Sequence, residues 1–348
     1  MLKLSVAKYQ LRFIHPFGTA HGVRLGTDSV FVKLENDGAI GYGEATLPPY
    51  LPETQASVVA ELQRMSSRSR AQLFENGPEV ALKGYSMPCR AALSTAYYDL
   101  KTTQLKCPVS ALLLTEAAAQ RATGLPMMTL GHTEPASIPA KLEELQGAPV
   151  LKVKLGSDQD KEILNTVLFH DERPLFLDAN QGWESVDRAC AIMSLVGKER
   201  LVGVEQPFPI DRLDLHRELR QRRVCRVYGD ESIQDMAELE TVADAFDGVN
   251  IKLMKCGGLD RAMDMVVRAR ELGMDVMLGS MSESSLGCGA MAQLADFADL
   301  ADLDGPWLIA NDPFEGLLLE GGALKIRGSL GLGIDLKADY LTWIKYGT

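Results

Sequence analysis

The sequence predicts an α/β protein: a (β/α)-barrel of the modified TIM type that carries an N-terminal α+β capping domain. Three observations lead there. First, eight short apolar runs follow residue 126, each succeeded by a helical pattern, with centres about 24 to 27 residues apart. That interval holds one strand, one helix and two loops, and eight such units close a barrel. Second, the first third of the chain reads differently, as alternating apolar runs joined by a hairpin signal. Third, charged residues stand at the ends of successive runs, where barrel enzymes place their chemistry.

In chain order, Leu2–Phe13, Ser29–Asn36 and Ala39–Glu44 read as antiparallel strands, with Asn36-Asp37-Gly38 as the turn between the last two. Helices are expected near Glu53–Arg64 and Met87–Gln104, the second opened by Ser86 with Pro88 in its first turn. The barrel strands are expected at Met127–Leu130, Val150–Leu155, Pro174–Asp178, Leu201–Glu205, Val224–Asp230, Val249–Leu253, Asp275–Gly279 and Leu300–Leu303. A doubly wound open sheet is the alternative, but no Gly-x-Gly-x-x-Gly follows an early strand. Beyond Leu308 the chain turns glycine-rich. The expected division is a capping domain over residues 1–122, a barrel over 123–311, and a tail from about 312 to 348 that packs back on the capping domain. A chain of 348 residues fits one large domain and a smaller one.

A net charge of −11 gives no basic face for nucleic acid, so no nucleic-acid partner is expected. No apolar stretch reaches the roughly 20 residues that cross a bilayer, and the N-terminus lacks the apolar core of a secretory signal, so no membrane partner is expected either. Six scattered cysteines without a Cys-x-x-Cys read as reduced thiols and point to the cytoplasm. Homo-oligomerisation stays open.

The second barrel strand reads Val150-Leu151-Lys152-Val153-Lys154. Alternation puts Lys152 and Lys154 on one face and the apolar Leu151 and Val153 on the other, so both lysines are expected inside the barrel. Mutual repulsion and burial would lower their pKa values and yield a base. The competing reading is an edge strand with a solvated lysine face. Strands three, four and five each end in a carboxylate: Asp178, Glu205 and Asp230. Any one of them fits a helix N-cap, but three on consecutive strands repel unless a cation neutralises them, and a hard divalent ion such as Mg²⁺ suits oxygen donors. Asn180, Gln206 and Glu231 are candidates to orient these ligands. On strand six Lys252 shares a face with Asn250, diametrically across from Lys154, while Lys255 reads as a loop lysine.

Lys152-x-Lys154, Asp178-Ala-Asn-Gln-Gly-Trp183, Glu205-Gln-Pro, Gly229-Asp230-Glu-Ser and Asn250-x-Lys252 before Gly257-Gly258 together resemble the enolase superfamily, in its muconate-lactonizing subgroup. The resemblance spans essentially the whole chain. It implies an enolase-like fold and a Mg²⁺-dependent reaction in which a lysine removes the proton α to a carboxylate. It also implies Lys154 and Lys252 as the acid/base pair, Lys152 as an aid to charge stabilisation, and Asp178, Glu205 and Asp230 as metal ligands.

Within that subgroup, Asp302-Leu-Asp304 resembles the Asp-x-Asp motif of dipeptide epimerases, which implies a dipeptide substrate whose α-ammonium the two aspartates bind. The bland reading is an acidic solvated loop. Arg24, in Phe17–Arg24, matches the arginine that Ala-Glu epimerases use for the glutamate side chain; otherwise it is a surface arginine. Tyr50 and Leu51, in a loop stiffened by Pro48, Pro49 and Pro52, are expected against the second residue, and Ser280 and Glu283 in the first-residue pocket, unless the Glu283 carboxylate is structural. His132 and Trp183 receive no role. The implied activity is epimerisation of L-Ala-D/L-Glu or a related dipeptide in murein peptide recycling. The rivals are an N-acylamino acid racemase, an o-succinylbenzoate synthase and a non-catalytic barrel that only binds.

Overall fold

The computed structural model describes residues 2–19, 22–113, 124–337 and 340–346. The expected domain boundary at 122/123, and Ala20 and His21 of the loop that carries Arg24, lie outside the described residues.

Three antiparallel strands open the chain: β1 (Lys3–Thr19), β2 (Gly22–Asn36) and β3 (Ala39–Leu47). The β2–β3 turn is a two-residue loop in which Asp37 and Gly38 adopt φ of 50° and 82°. Two positive φ values in succession match the strand twist, and glycine adopts one of them without cost. β1 and β2 run well past the expected strands as a ribbon, broken by a register shift between Arg12 and Phe17. Helices α1 (Gln55–Gln63), α2 (Ser67–Asn76), α3 (Pro78–Ala81), α4 (Met87–Leu105) and α5 (Val109–Leu113) follow. Ser86 is the N-cap residue of α4, but its side chain makes no capping bond, and Pro88 occupies the first turn. Sequence reading missed α2 and α3, which are short; α2 presents only Arg70 and Leu73 to the interior.

The barrel closes in the order β10-β11-β4-β5-β6-β7-β8-β9. Its units are β4 (Leu125–Leu130) with α6 (Ile138–Glu144), β5 (Val150–Lys154) with α7 (Asp160–His170), β6 (Leu175–Asp178) with α8 (Val186–Val196), and β7 (Leu201–Glu205) with α9 (Leu213–Arg222). Next come β8 (Arg226–Gly229) with α10 (Met236–Val242), β9 (Gly248–Lys252) with α11 (Leu253–Cys256) and α12 (Leu259–Glu271), β10 (Asp275–Gly279) with α13 (Ser285–Ala292), and β11 (Leu300–Asp302) with α14 (Gly305–Leu308). All barrel pairings are parallel. The (β/α)-barrel expectation therefore holds.

Two apolar layers fix the mouth. Leu151, Val153 and Leu155 pack outward against the helices. Inside, Met127, Val150, Phe176, Tyr228, Met277 and Leu300 form a separate plug that floors the site. Phe176 and Tyr228 meet edge-on at 5.2 Å, and a Cβ on Gly203 would lie 2.9 Å from each ring, so only glycine fits between them.

The tail holds β12 (Phe314–Glu315), β13 (Leu317–Glu320), β14 (Ala323–Ile326), β15 (Asp335–Leu336) and β16 (Ile344–Tyr346), and β16 pairs with β1 from Leu4↔Tyr346 to Val6↔Ile344. Among the described residues no helix is long and apolar enough to cross a membrane, and all six cysteines are free.

Candidate active site

A cavity of about 420 Å³ opens at the C-terminal mouth of the barrel, roofed by the β1–β2 ribbon and the loop after β3. Its wall brings together Arg24, Tyr50, Leu51, Thr129, Lys154, Asp230, Lys252, Ser280, Asp302 and Asp304.

Strand alternation turns Lys152 and Lys154 inward. The Lys152 ammonium, 1% exposed, lies 2.5 Å from Glu205 Oε2, 2.6 Å from Asp302 Oδ2 and 3.1 Å from Asp178 Oδ2. Lys154 donates to Asp178 Oδ2 at 2.5 Å and to Asn180 Oδ1 at 3.1 Å. From β9, Lys252 donates to Asp230 Oδ2 at 2.7 Å. β5 and β9 are the second and sixth of the eight barrel strands, so Lys154 and Lys252 enter the cavity from opposite walls.

The fall in pKa expected for Lys152 does not occur, and Lys252 behaves alike. Burial does act to lower Lys252, but Asp230 and Glu205 outweigh it and the net shift is upward. Lys152 is likewise buried, yet Asp302, Glu205 and Asp178 hold it well above the usual lysine range. Repulsion between the two neighbouring lysines is outweighed by the carboxylates that face them. Lys255 is a second correction. It is not a loop lysine but a buried side chain of α11, donating to Asp230 Oδ1 at 2.7 Å and to the Asp230 and Asn250 carbonyls at 2.8 Å. Burial lowers its pKa.

Asp178 and Glu205 are in register across β6 and β7, and Asp230 follows the end of β8. Asp178 and Glu205 are fully buried and Asp230 is 5% exposed. Burial would raise the Asp178 and Asp230 carboxyls, but their lysines hold both below the usual range. Glu205 is pushed up to about 8, by burial first and then by Asp178. Three buried acids on adjacent strands are thus undercompensated at Glu205, and an all-oxygen set of this kind fits a hard divalent cation. Among the described residues no three such groups converge closely enough to share an ion; each of the three turns toward an ammonium instead.

Their supports are well placed. Asn250 Nδ2 donates to Glu205 Oε1 at 2.5 Å, Gln206 Oε1 accepts from the Asp230 and Ser232 amides at 3.1 Å each, and the Asn180 amide donates to Asp178 Oδ1 at 3.0 Å. Asn180 Nδ2 also reaches Glu231 Oε1, at 3.4 Å.

At the roof, the Arg24 guanidinium sits 5.4 Å from the Phe13 ring and 5.9 Å from those of Phe17 and Tyr50. Among the described residues its buried Nε and Nη1 have no hydrogen-bond partner. Burial lowers its pKa, although a guanidinium stays charged. Tyr50, 56% exposed, forms the rim. Ser280 lines the cavity, but Glu283 does not. Its carboxylate turns to the Met281 amide and, buried beside Glu44, is pushed up to about 8. Of the two expectations for Glu283, the structural one describes the geometry.

Asp302 and Asp304 both line the cavity, 7% and 5% exposed. Burial and then Asp302 push Asp304 up to about 7. Thr129, which sequence reading passed over, donates to both: its amide to Asp304 Oδ2 at 2.7 Å and its hydroxyl to Asp302 Oδ1 at 3.2 Å. The available signal was a lone hydroxyl in Leu-Pro-Met-Met-Thr-Leu. His132 pairs with Ser157, and the Trp183 indole donates to Asp160; neither residue lines the cavity.

Residues 3–113 match the N-terminal domain family of mandelate racemase / muconate lactonizing enzyme, and residues 139–340 match the enolase C-terminal domain-like family. An L-Ala-D/L-Glu epimerase of Bacteroides thetaiotaomicron is 34% identical over 96% of this chain and 88% of its own length. An L-Ala-D/L-amino acid epimerase of Flavobacterium johnsoniae is 31% identical over 96% of this chain and 100% of its own. The crystal structure of a dipeptide epimerase from Enterococcus faecalis V583, complexed with Mg and the dipeptide L-Leu-L-Tyr, superposes with a TM-score of 0.84 at 27% identity, covering 95% of this chain and 98% of that one.

Proposed function

The chain belongs to the mandelate racemase / muconate lactonizing family of the enolase superfamily, and from that membership we propose that it is a Mg²⁺-dependent dipeptide epimerase. Its substrates would be L-Ala-D/L-Glu or related dipeptides of murein peptide metabolism. The observation that carries the reading is the order of charges along one cavity: an acidic pair at Asp302 and Asp304, a lysine–carboxylate centre, and the Arg24 guanidinium, two of whose nitrogens have no hydrogen-bond partner among the described residues. A dipeptide ending in glutamate carries the complementary ammonium, α-carboxylate and side-chain carboxylate. The substrates of the racemase and synthase rivals lack a free α-ammonium, and the acidic pair then has no ligand, which disfavours both.

Asp178, Glu205 and Asp230 would hold the cation. Bound there, it would supply charge stabilisation to the substrate carboxylate. Carboxylates committed to it would no longer hold the ammoniums of Lys154 and Lys252. The free ε-amine of one lysine then takes the α-proton from one face, and the ε-ammonium of the other delivers a proton to the opposite face, inverting the centre. Lys152, which also donates to Asp302 outside the ligand set, keeps a positive charge beside them.

Incubation of the protein with Mg²⁺ and libraries of Ala-Xaa and Xaa-Glu dipeptides in D₂O should add one deuteron to the accepted peptides, read by mass spectrometry. Absence of exchange with every dipeptide would overturn the proposal. For Arg24→Met, kcat/KM on Ala-Glu should fall about 10- to 100-fold, the worth of a charge-assisted hydrogen bond, with a smaller loss on dipeptides ending in an apolar residue. Equal losses on both substrate types would mean that Arg24 does not read the side chain.

A further inference from the structure

Resting on the dipeptide reading above, we propose that Thr129 is a positioning residue that locks Asp302 and Asp304 into a single subsite for the substrate ammonium. β11 pairs with β4 only at Leu300↔Leu125 and Ala301↔Pro126. Across this seam main-chain pairing therefore ends before either aspartate, while on the other side Asp302 still pairs with Gly279 of β10. Continuing the same register sets Asp304 opposite Thr129, and there Thr129 takes over from the ladder, its amide on Asp304 Oδ2 and its hydroxyl on Asp302 Oδ1.

The occupancy of the oxygens follows. Asp302 receives Thr129 on one oxygen and Lys152 on the other, at 2.6 Å. A threonine hydroxyl has one hydrogen to give, so this bond fixes the orientation of the Asp302 carboxylate. Two carboxylates this deeply buried repel each other, and without local donors they would turn apart. Thr129 is itself 5% exposed and is the one hydroxyl residue of β4. It thus supplies donors to both acids from a strand that belongs to neither.

Valine matches the shape of threonine and retains the amide donor to Asp304, so Thr129→Val removes the hydroxyl that bonds Asp302 and also acts on Asp304. Its KM for an exchanging free-amine dipeptide should rise about tenfold, with the loss falling on KM rather than kcat, and Thr129→Ser should restore most of it. A second readout works without turnover. In calorimetric titration with Mg²⁺ present, wild type should bind the free-amine dipeptide more tightly than its N-acetyl form, and Thr129→Val should lose about tenfold of that preference. A purely structural role would lower the thermal midpoint and kcat together and leave the preference intact. Wild-type exchange with an unchanged KM and preference in Thr129→Val overturns this inference alone. Wild type that neither exchanges nor binds any dipeptide overturns the functional reading, and the ammonium subsite with it.

Discussion

Lys252→Ala should interconvert epimers at least about 10³-fold more slowly than wild type, within the range that one positioned proton-transfer group contributes. The informative part is the isotope pattern. Lys154 and Lys252 enter the cavity from diametrically placed strands, so each faces one side of a substrate held between them. With Lys252 removed, only the epimer whose α-proton faces Lys154 should still exchange in D₂O. Lys154→Ala should show the opposite preference. The Lys252 variant is a clean test because Asp230 keeps Lys255 on its other oxygen and on its carbonyl, so the carboxylate stays in place. If both variants exchanged both epimers at the wild-type rate, the two-base scheme would fail.

Glu205→Gln should weaken Mg²⁺ binding by at least about 100-fold in calorimetry and lower turnover in step. The substitution preserves shape and the option of a hydrogen bond with Asn250, but removes the carboxylate that, of the three proposed ligands, its surroundings leave undercompensated. Glu205 is fully buried, its carboxyl is pushed up to about 8 by burial and by Asp178, and Lys152 is the cation beside it. Taking that charge away relieves repulsion on Asp178, and Lys152 keeps Asp178 and Asp302 as partners, so the folded state should be retained and the thermal midpoint should not collapse. Unchanged Mg²⁺ affinity in this variant would remove Glu205 from the ligand set.

The barrel was legible because each strand carries its own evidence. Apolar runs at regular spacing, a carboxylate closing three of them and lysines alternating with Leu151 and Val153 are local patterns, and period-two alternation converts them directly into an inward face. The capping strands were read short for the opposite reason. The outer part of the β1–β2 ribbon covers the barrel mouth instead of a core of its own, and Ile14, Val23 and Leu25 there are exposed, so its pattern does not alternate cleanly.

What the sequence alone determined is therefore the fold class, the family and the identity of the charged groups at the strand ends. What only the tertiary structure decided is how those groups pair. The rise in the Lys252 pKa, the burial of Lys255 on Asp230, the turn of Glu283 away from the cavity and the grip of Thr129 on Asp302 and Asp304 all depend on distances between strands far apart in the chain. Periodicity fixes which face a side chain takes. The charge state of a buried group depends on every charge within a few ångströms, and barrel closure is what brings those charges together.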